Sequence, residues 1–561
     1  MIWVVRAFLI SLVYFQLFLW SGIASAGNNI FGIHITNEAD LNDAAKLVNS
    51  NGGEWGYVTF VIREDERDTA RWQSVFDRMR ELKLIPLVRL ATKTEGANWK
   101  KPIPVDADSW VTFLSSLNWV VKNRYVILFN EPNHSGEWGG TINPREYAQV
   151  ASVFQKRLKE TSADYFILPA GFDSSAPNGP KTMSADKFWG LMNSEVPYIF
   201  SIFDGWNSHS YPNPAFSSSP SLSGRGSVRS FSWEVSFLSR YGMRLDTPIF
   251  ITETGWVHNE NKDSKGLPAG RQVLGFSSET VGKFFQDAWA NAWSDKRIKA
   301  VTPFILNYPR DPFTNFSWKN PVSNEYYPQF AAVQNISKVK GEPEQEHKSA
   351  LIAHSLPNKV VTGSFYESNI KFQNLGQSIW SETEGFSLDF KINEEVQTQE
   401  NFFIGYTKPR ETREVKINFR SPTQSGIIQV SVQMRYKTKK FGELLTHSIE
   451  VLEPPKLKIA ATSLFGTADG HDIKLLVYKN NDPVKEIKNI SLEKGSGEVE
   501  LRDISPDEQY RFVLIKPYHL PVQTYASVAV PETRITFPVI LPLDRNNDGQ
   551  LTWEDLFSLF Q

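Results

Sequence analysis

Between Ile30 and Gln334, short apolar runs of strand length alternate with amphipathic helical stretches, and eight such runs occur in that interval. No other property restricts the fold as much. Parallel strands need crossover connections, so a strand–helix repeat builds a parallel sheet covered by helices. The runs are Ile30–Ile35, Trp55–Ile62, Leu84–Leu90, Tyr125–Phe129, Phe166–Ala170, Phe203–Ser208, Ile249–Thr252 and Val301–Leu306. Two of the helices between them have clear starts. Asp68 caps a helix with apolar residues at Trp72, Val75, Phe76, Met79 and Leu82, spaced as one face. Asn143-Pro144-Arg145-Glu146 offers a cap, a proline at the first helical position and an acid at the third, ahead of Tyr147, Val150, Phe154 and Leu158. Eight repeats match a closed (β/α)8 TIM barrel better than an open doubly wound sheet. No glycine-rich phosphate fingerprint follows the first run, which argues against a dinucleotide fold.

The helical period ends near residue 336. Residues 337–355, charged and poor in apolar side chains, read as a linker. Beyond it lie alternating runs such as Phe386-Ser387-Leu388-Asp389-Phe390, broken by turn residues, which predict all-β sandwich modules over 356–453 and 456–542. The expected fold class is therefore α/β, a (β/α)8 barrel over 27–336 followed by two β-sandwich modules.

Residues 1–26 read as a signal peptide: Arg6 is a lone positive charge, Ala7 to Trp20 is mostly apolar, and Ala24-Ser25-Ala26 is a small-residue cleavage site. The expected location is extracellular or at the cell surface, with no stable membrane insertion after cleavage. The chain has no cysteine, so disulfides, thiolate metal sites and a cysteine nucleophile are excluded. Lys+Arg 60 against Asp+Glu 62 leaves a net charge of −2, too balanced for a nucleic-acid partner.

Two runs stop on a glutamate. Tyr125-Val126-Ile127-Leu128-Phe129-Asn130-Glu131-Pro132-Asn133 closes the fourth, and Ile249-Phe250-Ile251-Thr252-Glu253-Thr254-Gly255-Trp256 closes the seventh. Catalytic groups of a barrel gather at the C-terminal ends of its strands, which sets these two carboxylates across one mouth. A pair of carboxyl groups, one protonated to release the leaving oxygen and one ionised to attack the sugar carbon, is what glycoside cleavage requires.

Asn-Glu-Pro ending strand four, with Thr-Glu-Thr-Gly-Trp ending strand seven, resembles clan A of the glycoside hydrolases, the retaining (β/α)8 superfamily. The resemblance implies that Glu131 is the general acid/base and Glu253 the nucleophile, and that Asn130 holds the sugar 2-hydroxyl. Trp206-Asn207-Ser208-His209-Ser210-Tyr211 is similar to the clan's His-x-Tyr. Tyr211 would then donate to Glu253, with His209 against the substrate or the acid. Arg89, ending strand three, is a candidate donor to the nucleophile, and His34 on strand one a weaker site candidate. Trp138, Trp256 and Trp318 are candidate stacking platforms in or beside the lip loops. Many clan members end strand eight on a tryptophan, whereas here the segment reads Phe304-Ile305-Leu306-Asn307-Tyr308.

At 543–561, Asp544, Asn546, Asp548, Gln550 and Asp555 carry oxygen ligands at the spacing of a calcium loop, with Gly549 at its sharp turn. The loop resembles one half of a dockerin, so Ca2+ is the expected structural cofactor and a cohesin-type protein a conceivable partner. The middle module, with Asn374-Leu375-Gly376 ahead of Trp380, resembles the immunoglobulin-type modules of exported enzymes. No cofactor is expected for catalysis. The function expected is an exported glycosidase acting on β-linked oligo- or polysaccharides with retention. Its rivals are a transglycosylase on the same site and a non-catalytic carbohydrate-binding or scaffold protein.

Overall fold

The computed structural model describes residues 28–260, 275–310, 312–396 and 404–557, so the expected signal peptide at 1–26 lies outside the described residues. The chain divides into two compact units between Glu346 and His347. In the first, β1 (Gly32–His34), β2 (Gly56–Arg63), β3 (Leu84–Ala91), β4 (Arg124–Leu128), β5 (Tyr165–Pro169), β6 (Trp206–His209), β7 (Ile249–Glu253) and β8 (Ile298–Val301) alternate with helices. These are α1 (Leu41–Val48), α2 (Thr69–Glu81), α3 (Asp106–Ser115), α4 (Pro144–Thr161), α5 (Ala185–Glu195), α6 (Ser230–Leu238), α7 (Ser278–Asp287) and α8 (Pro328–Gln334).

The strands pair in parallel, β1 to β5 in one arc and β6 to β8 in another. Parallel bridges join the arcs at both seams, Phe31 to Val301 and Asp173 to His209. Rings from opposite strands also meet inside. Phe250 of β7 touches Tyr57 of β2, Tyr125 of β4 and Phe166 of β5, with ring centres 6.4, 5.4 and 5.5 Å away. That interlock fills the strand axis with side chains, as a packed barrel interior requires.

Local chemistry explains the helices. The Asp68 side chain accepts from Arg71 N–H, and α2 buries Trp72, Val75, Phe76 and Met79. Asn143 accepts from Glu146 N–H, Pro144 opens α4, and Tyr147, Val150, Phe154 and Leu158 are all buried.

Several boundaries differ from expectation, two of them with consequences for the site and the linker. The eighth strand is Ile298–Val301, upstream of the expected Val301–Leu306. The apolar Phe304, Ile305 and Leu306 follow it as irregular chain beside the cavity described below. The expected linker over 337–355 is not a free tether. Gly341 N–H donates to Glu54 O, Lys122 N–H to Glu344 O, and the Gln345 amide to Val120 O, which pins the segment to the first unit. The Lys338 ammonium donates to the carbonyls of Val333, Gln334 and Ile336, and burial pulls its pKa down to about 8.

In the second unit, Ser349–His354 is already a strand, paired with Phe365–Asn374, so its first module starts before residue 356. That module has a three-stranded and a five-stranded sheet around a core including Ile370, Phe372, Trp380, Phe390 and Val432. A second core, including Leu457, Leu475, Phe512 and Ile535, lies among the strands from Lys456 to Thr536. No helix among the described residues is long and apolar enough to cross a membrane.

Candidate active site

The strand ends supply the site. After β4 the backbone enters the left-handed region at Phe129 (φ 72) and again at Glu131 (φ 22). Non-glycine residues there cost about 1–3 kcal/mol each, so the surroundings must hold them. Asn133 does much of the holding. It is fully buried, and its amide donates to the carbonyls of Asp173 and Met183, while His134 N–H donates to Glu131 O. The turn thereby aims Glu131 into the mouth rather than along the strand.

Glu253 closes β7 from the other arc. One carboxylate oxygen each of Glu131 and Glu253 and a ring nitrogen of His209 all lie within 4.8 Å of one another. His209 Nδ1 is 2.8 Å from Glu131 Oε1 and 3.7 Å from Glu253 Oε2. The Tyr211 hydroxyl donates to Glu253 Oε2 at 3.1 Å. Arg89 Nη1 donates to Glu253 Oε1 at 2.6 Å and to Asn130 Oδ1 at 2.7 Å, tying both strand-end motifs to one guanidinium.

Electrostatics separates these groups. Burial would raise Glu253, but the charges of His209 and Arg89 and the Tyr211 hydrogen bond outweigh it and hold the carboxyl at about 2. His209 is raised: burial opposes its charge, and the two glutamates more than compensate. Burial pulls His34 down to about 3, so it stays neutral, with Nδ1 3.8 Å from Glu253 Oε1.

Around these residues opens a cavity of about 680 Å³, whose lining includes Glu131, Glu253, Asn130, Arg89, His34 and Tyr211. The three candidate tryptophans do not line it, and the stacking role expected for them is corrected. Trp138 is buried against Phe129 and Tyr147, with Nε1 donating to Glu146. Trp256 is buried against Phe284 and Phe285, with Nε1 donating to Ser218 O. Trp318 is buried against Phe285.

Other lining residues escaped the sequence reading. Trp99 comes from a short hairpin (Thr94–Glu95 with Asn98–Trp99) after β3. Burial pushes the Glu137 carboxyl up to about 7 against the attraction of Arg89, and the Glu131 charge adds to the rise. Burial would lower His134, but its bond to Asp173 (Nε2 to Oδ2, 3.0 Å) and the charge of Glu131 raise it to about 9. Asp173 follows β5, and the rule that picked out Glu131, a carboxylate just past a strand end, reaches it too. Glu137 and His134 stand in the same loop as Glu131, the nearest sequence signal they carry.

No protein-family model matches this sequence, and no curated protein does. Solved structures do. The chain is similar to a GH30 endoxylanase from Clostridium papyrosolvens C71 at 9% identity and a TM-score of 0.33, over 86% of this chain and 96% of that one. It is similar to a GH5-4 broad-specificity endoglucanase from Clostridium longisporum (12%, TM-score 0.33, 54% and 84%). It is also similar to β-glucuronidase 3 of Bacteroides uniformis (11%, TM-score 0.33, 89% and 62%).

A glycine sets the position of His209. A Cβ at Gly171 would stand 2.1 Å from His209 Cδ2 and 2.2 Å from Nε2, so any side chain there displaces the imidazole. Gly171→Ala is expected to lower kcat by about 10²-fold, the scale of a misplacement near 1 Å. Turnover and circular dichroism measured together check this; near-normal kcat in a folded variant would contradict it.

Proposed function

We propose that the first unit is a (β/α)8 glycosidase of the clan A type, cleaving β-linked glycosides with retention through a covalent glycosyl-enzyme. One observation supports this above the rest: two glutamates from different strands approach within 4.8 Å, one of them held strongly anionic. Retaining pairs stand about 5–5.5 Å apart and inverting pairs about 6.5–9.5 Å, so the approach favours the retaining class. Glu253 attacks the anomeric carbon, and its low proton affinity keeps it a carboxylate. Glu131 delivers a proton to the leaving oxygen and later takes one from water. His209 sits between them, its Nδ1 2.8 Å from Glu131, and both glutamates draw it toward its charged form. Asn130, oriented by Arg89, takes the 2-hydroxyl, a contact that strengthens as the sugar flattens. The test is the anomer first released from a β-glycoside, followed by NMR. The β anomer is expected, and the α anomer would refute retention.

Export from the cell belongs to the same reading, as do immunoglobulin-like character for the middle module and a calcium ion at the C-terminal loop. Gly549 has φ +83, which suits the sharp turn such a loop needs, and Asp544 accepts from Asp548 N–H and Gly549 N–H. The Thr552 N–H bond, with help from Asn546 and Arg545, holds Asp555 down at about 2. Asp544, Asn546, Asp548 and Asp555 are the hard oxygen donors a calcium ion prefers. The ion would order the chain end and take no part in catalysis. Added Ca2+ should raise the melting temperature of the second unit's transition, since a ligand at a hundred times its Kd contributes about 2.7 kcal/mol. Asp544→Ala should erase the rise, and an unchanged melting curve in the parent chain would remove the ion from the proposal.

A further inference from the structure

Arg89 holds one end of the Asn130 amide. Its Nη1 donates to Asn130 Oδ1 at 2.7 Å and to Glu253 Oε1 at 2.6 Å. A guanidinium only donates, so the amide oxygen must face it and the amide nitrogen must face away. One hydrogen bond still leaves a carboxamide free to swing, because the terminal torsion of an asparagine is broad. A second bond removes that freedom: the Asn130 side chain also donates to the Glu137 carboxyl. With its oxygen on Arg89 and one N–H on Glu137, the amide plane is set, and the other N–H is left with one direction.

Glu137 is carried by a turn that is tied on both sides. Ser135–Glu137 form one 3₁₀ turn. Ser135 N–H donates to Lys181 O and Gly139 N–H to Trp99 O, both at 2.9 Å. Trp138, next in the chain, is buried, with Nε1 donating to Glu146. The turn thus keeps the Glu137 carboxyl in the cavity lining with Asn130, Arg89 and Glu131. Burial works against its ionised form, and so do the charges of Glu131 and Glu253, while Arg89 and the Asn130 bond oppose them. A carboxyl held in a cleft against such a penalty is a candidate for function. We propose that Glu137 is a positioning residue for substrate selection: it pins the Asn130 amide so that the remaining N–H meets the sugar 2-oxygen, and through Asn130 it sets the preference for a glycone with a free 2-hydroxyl. The inference rests on the glycosidase reading above.

The full chain is assayed on 4-nitrophenyl β-glucoside, β-galactoside and β-xyloside, each beside its 2-deoxy counterpart. The readout, taken on the pair the parent hydrolyses fastest, is the ratio of kcat/KM with the 2-hydroxyl to kcat/KM without it. Glu137→Ala is expected to lower that ratio about three- to tenfold, the scale of one hydrogen bond. Glu137→Gln should keep it within about twofold of the parent's, since a side-chain carbonyl accepts the same N–H. Asn130→Ala should lower the ratio at least as far, and adding Glu137→Ala to it should lower it no further, because a residue acting through Asn130 then has nothing to position. An unchanged ratio in Glu137→Ala, or a further drop in the double variant, overturns the proposal and leaves the glycosidase reading intact. Absence of release from every substrate by the parent chain overturns both. Where Glu137→Ala does not fold, Glu137→Asp, whose carboxyl is drawn back by a methylene, carries the same expectation.

Discussion

On the proposed mechanism, Glu253→Ala should abolish turnover, by on the order of 10⁴-fold or more, because Glu253 is the group that bonds to the anomeric carbon. The structure makes this residue the most exclusive in the site. Two donors, Arg89 and Tyr211, converge on its oxygens. The substitution also removes a charge that Arg89 and His209 are arranged around, so Glu253→Gln is the companion variant, keeping shape without charge. Both should be folded and inactive. The sign of the pH effect follows from the depressed carboxyl: Glu253 remains ionised above its folded pKa of about 2, and the stability its charge contributes is full above the ordinary carboxylate range, falls as pH drops through that range and is gone below about 2. The acid limb of a rate profile near neutrality should therefore not be ascribed to Glu253. Turnover within about a hundredfold of the parent's by either folded variant would contradict its role.

Glu131→Ala should show a different pattern. A general acid typically contributes 10²–10⁴-fold, and only where the leaving oxygen needs a proton. Natural oligosaccharides should lose activity on that scale. Aryl glycosides with good leaving groups should keep much of their first step and accumulate glycosyl-enzyme, since Glu131 is also missing as the base that activates water. A burst of nitrophenolate followed by slow turnover is the expected trace. Equal losses on activated and natural substrates would contradict the assignment. His209 complicates any more conservative change, because its ring nitrogen lies 2.8 Å from Glu131 and responds to whatever charge stands there.

Much of this arrangement was legible in the chain, for identifiable reasons. The ends of β4 and β7 are clear because apolar runs stop abruptly on a glutamate followed by proline or by threonine and glycine. The helix starts at Asp68 and Asn143 are clear because capping is local chemistry. The eighth strand lies upstream of the expected run because Phe304, Ile305 and Leu306 are as apolar as a strand, yet Phe304 and Ile305 serve the cavity and its supporting cluster and Leu306 packs into the main core. The tryptophans were misjudged for a similar reason. An indole has one N–H, and a loop carbonyl or a neighbouring carboxylate satisfies it inside the protein as well as a sugar would outside. Glu137 and His134 were missed because nothing in a sequence shows that a loop folds back over the residue it carries. The charged segment after residue 337 looked free because its anchors are mostly backbone groups, which composition does not reveal.

The four rings interlocked on the strand axis, Tyr57, Tyr125, Phe166 and Phe250, have a kinetic consequence. They stopper the passage beneath the cavity, so on the proposed mechanism whatever resolves the covalent species must arrive through the doorway the departing aglycone has just used. Water and any alcohol lingering at that threshold then compete for the same vacancy. Whether this catalyst degrades chains or rebuilds them becomes a matter of traffic at one entrance.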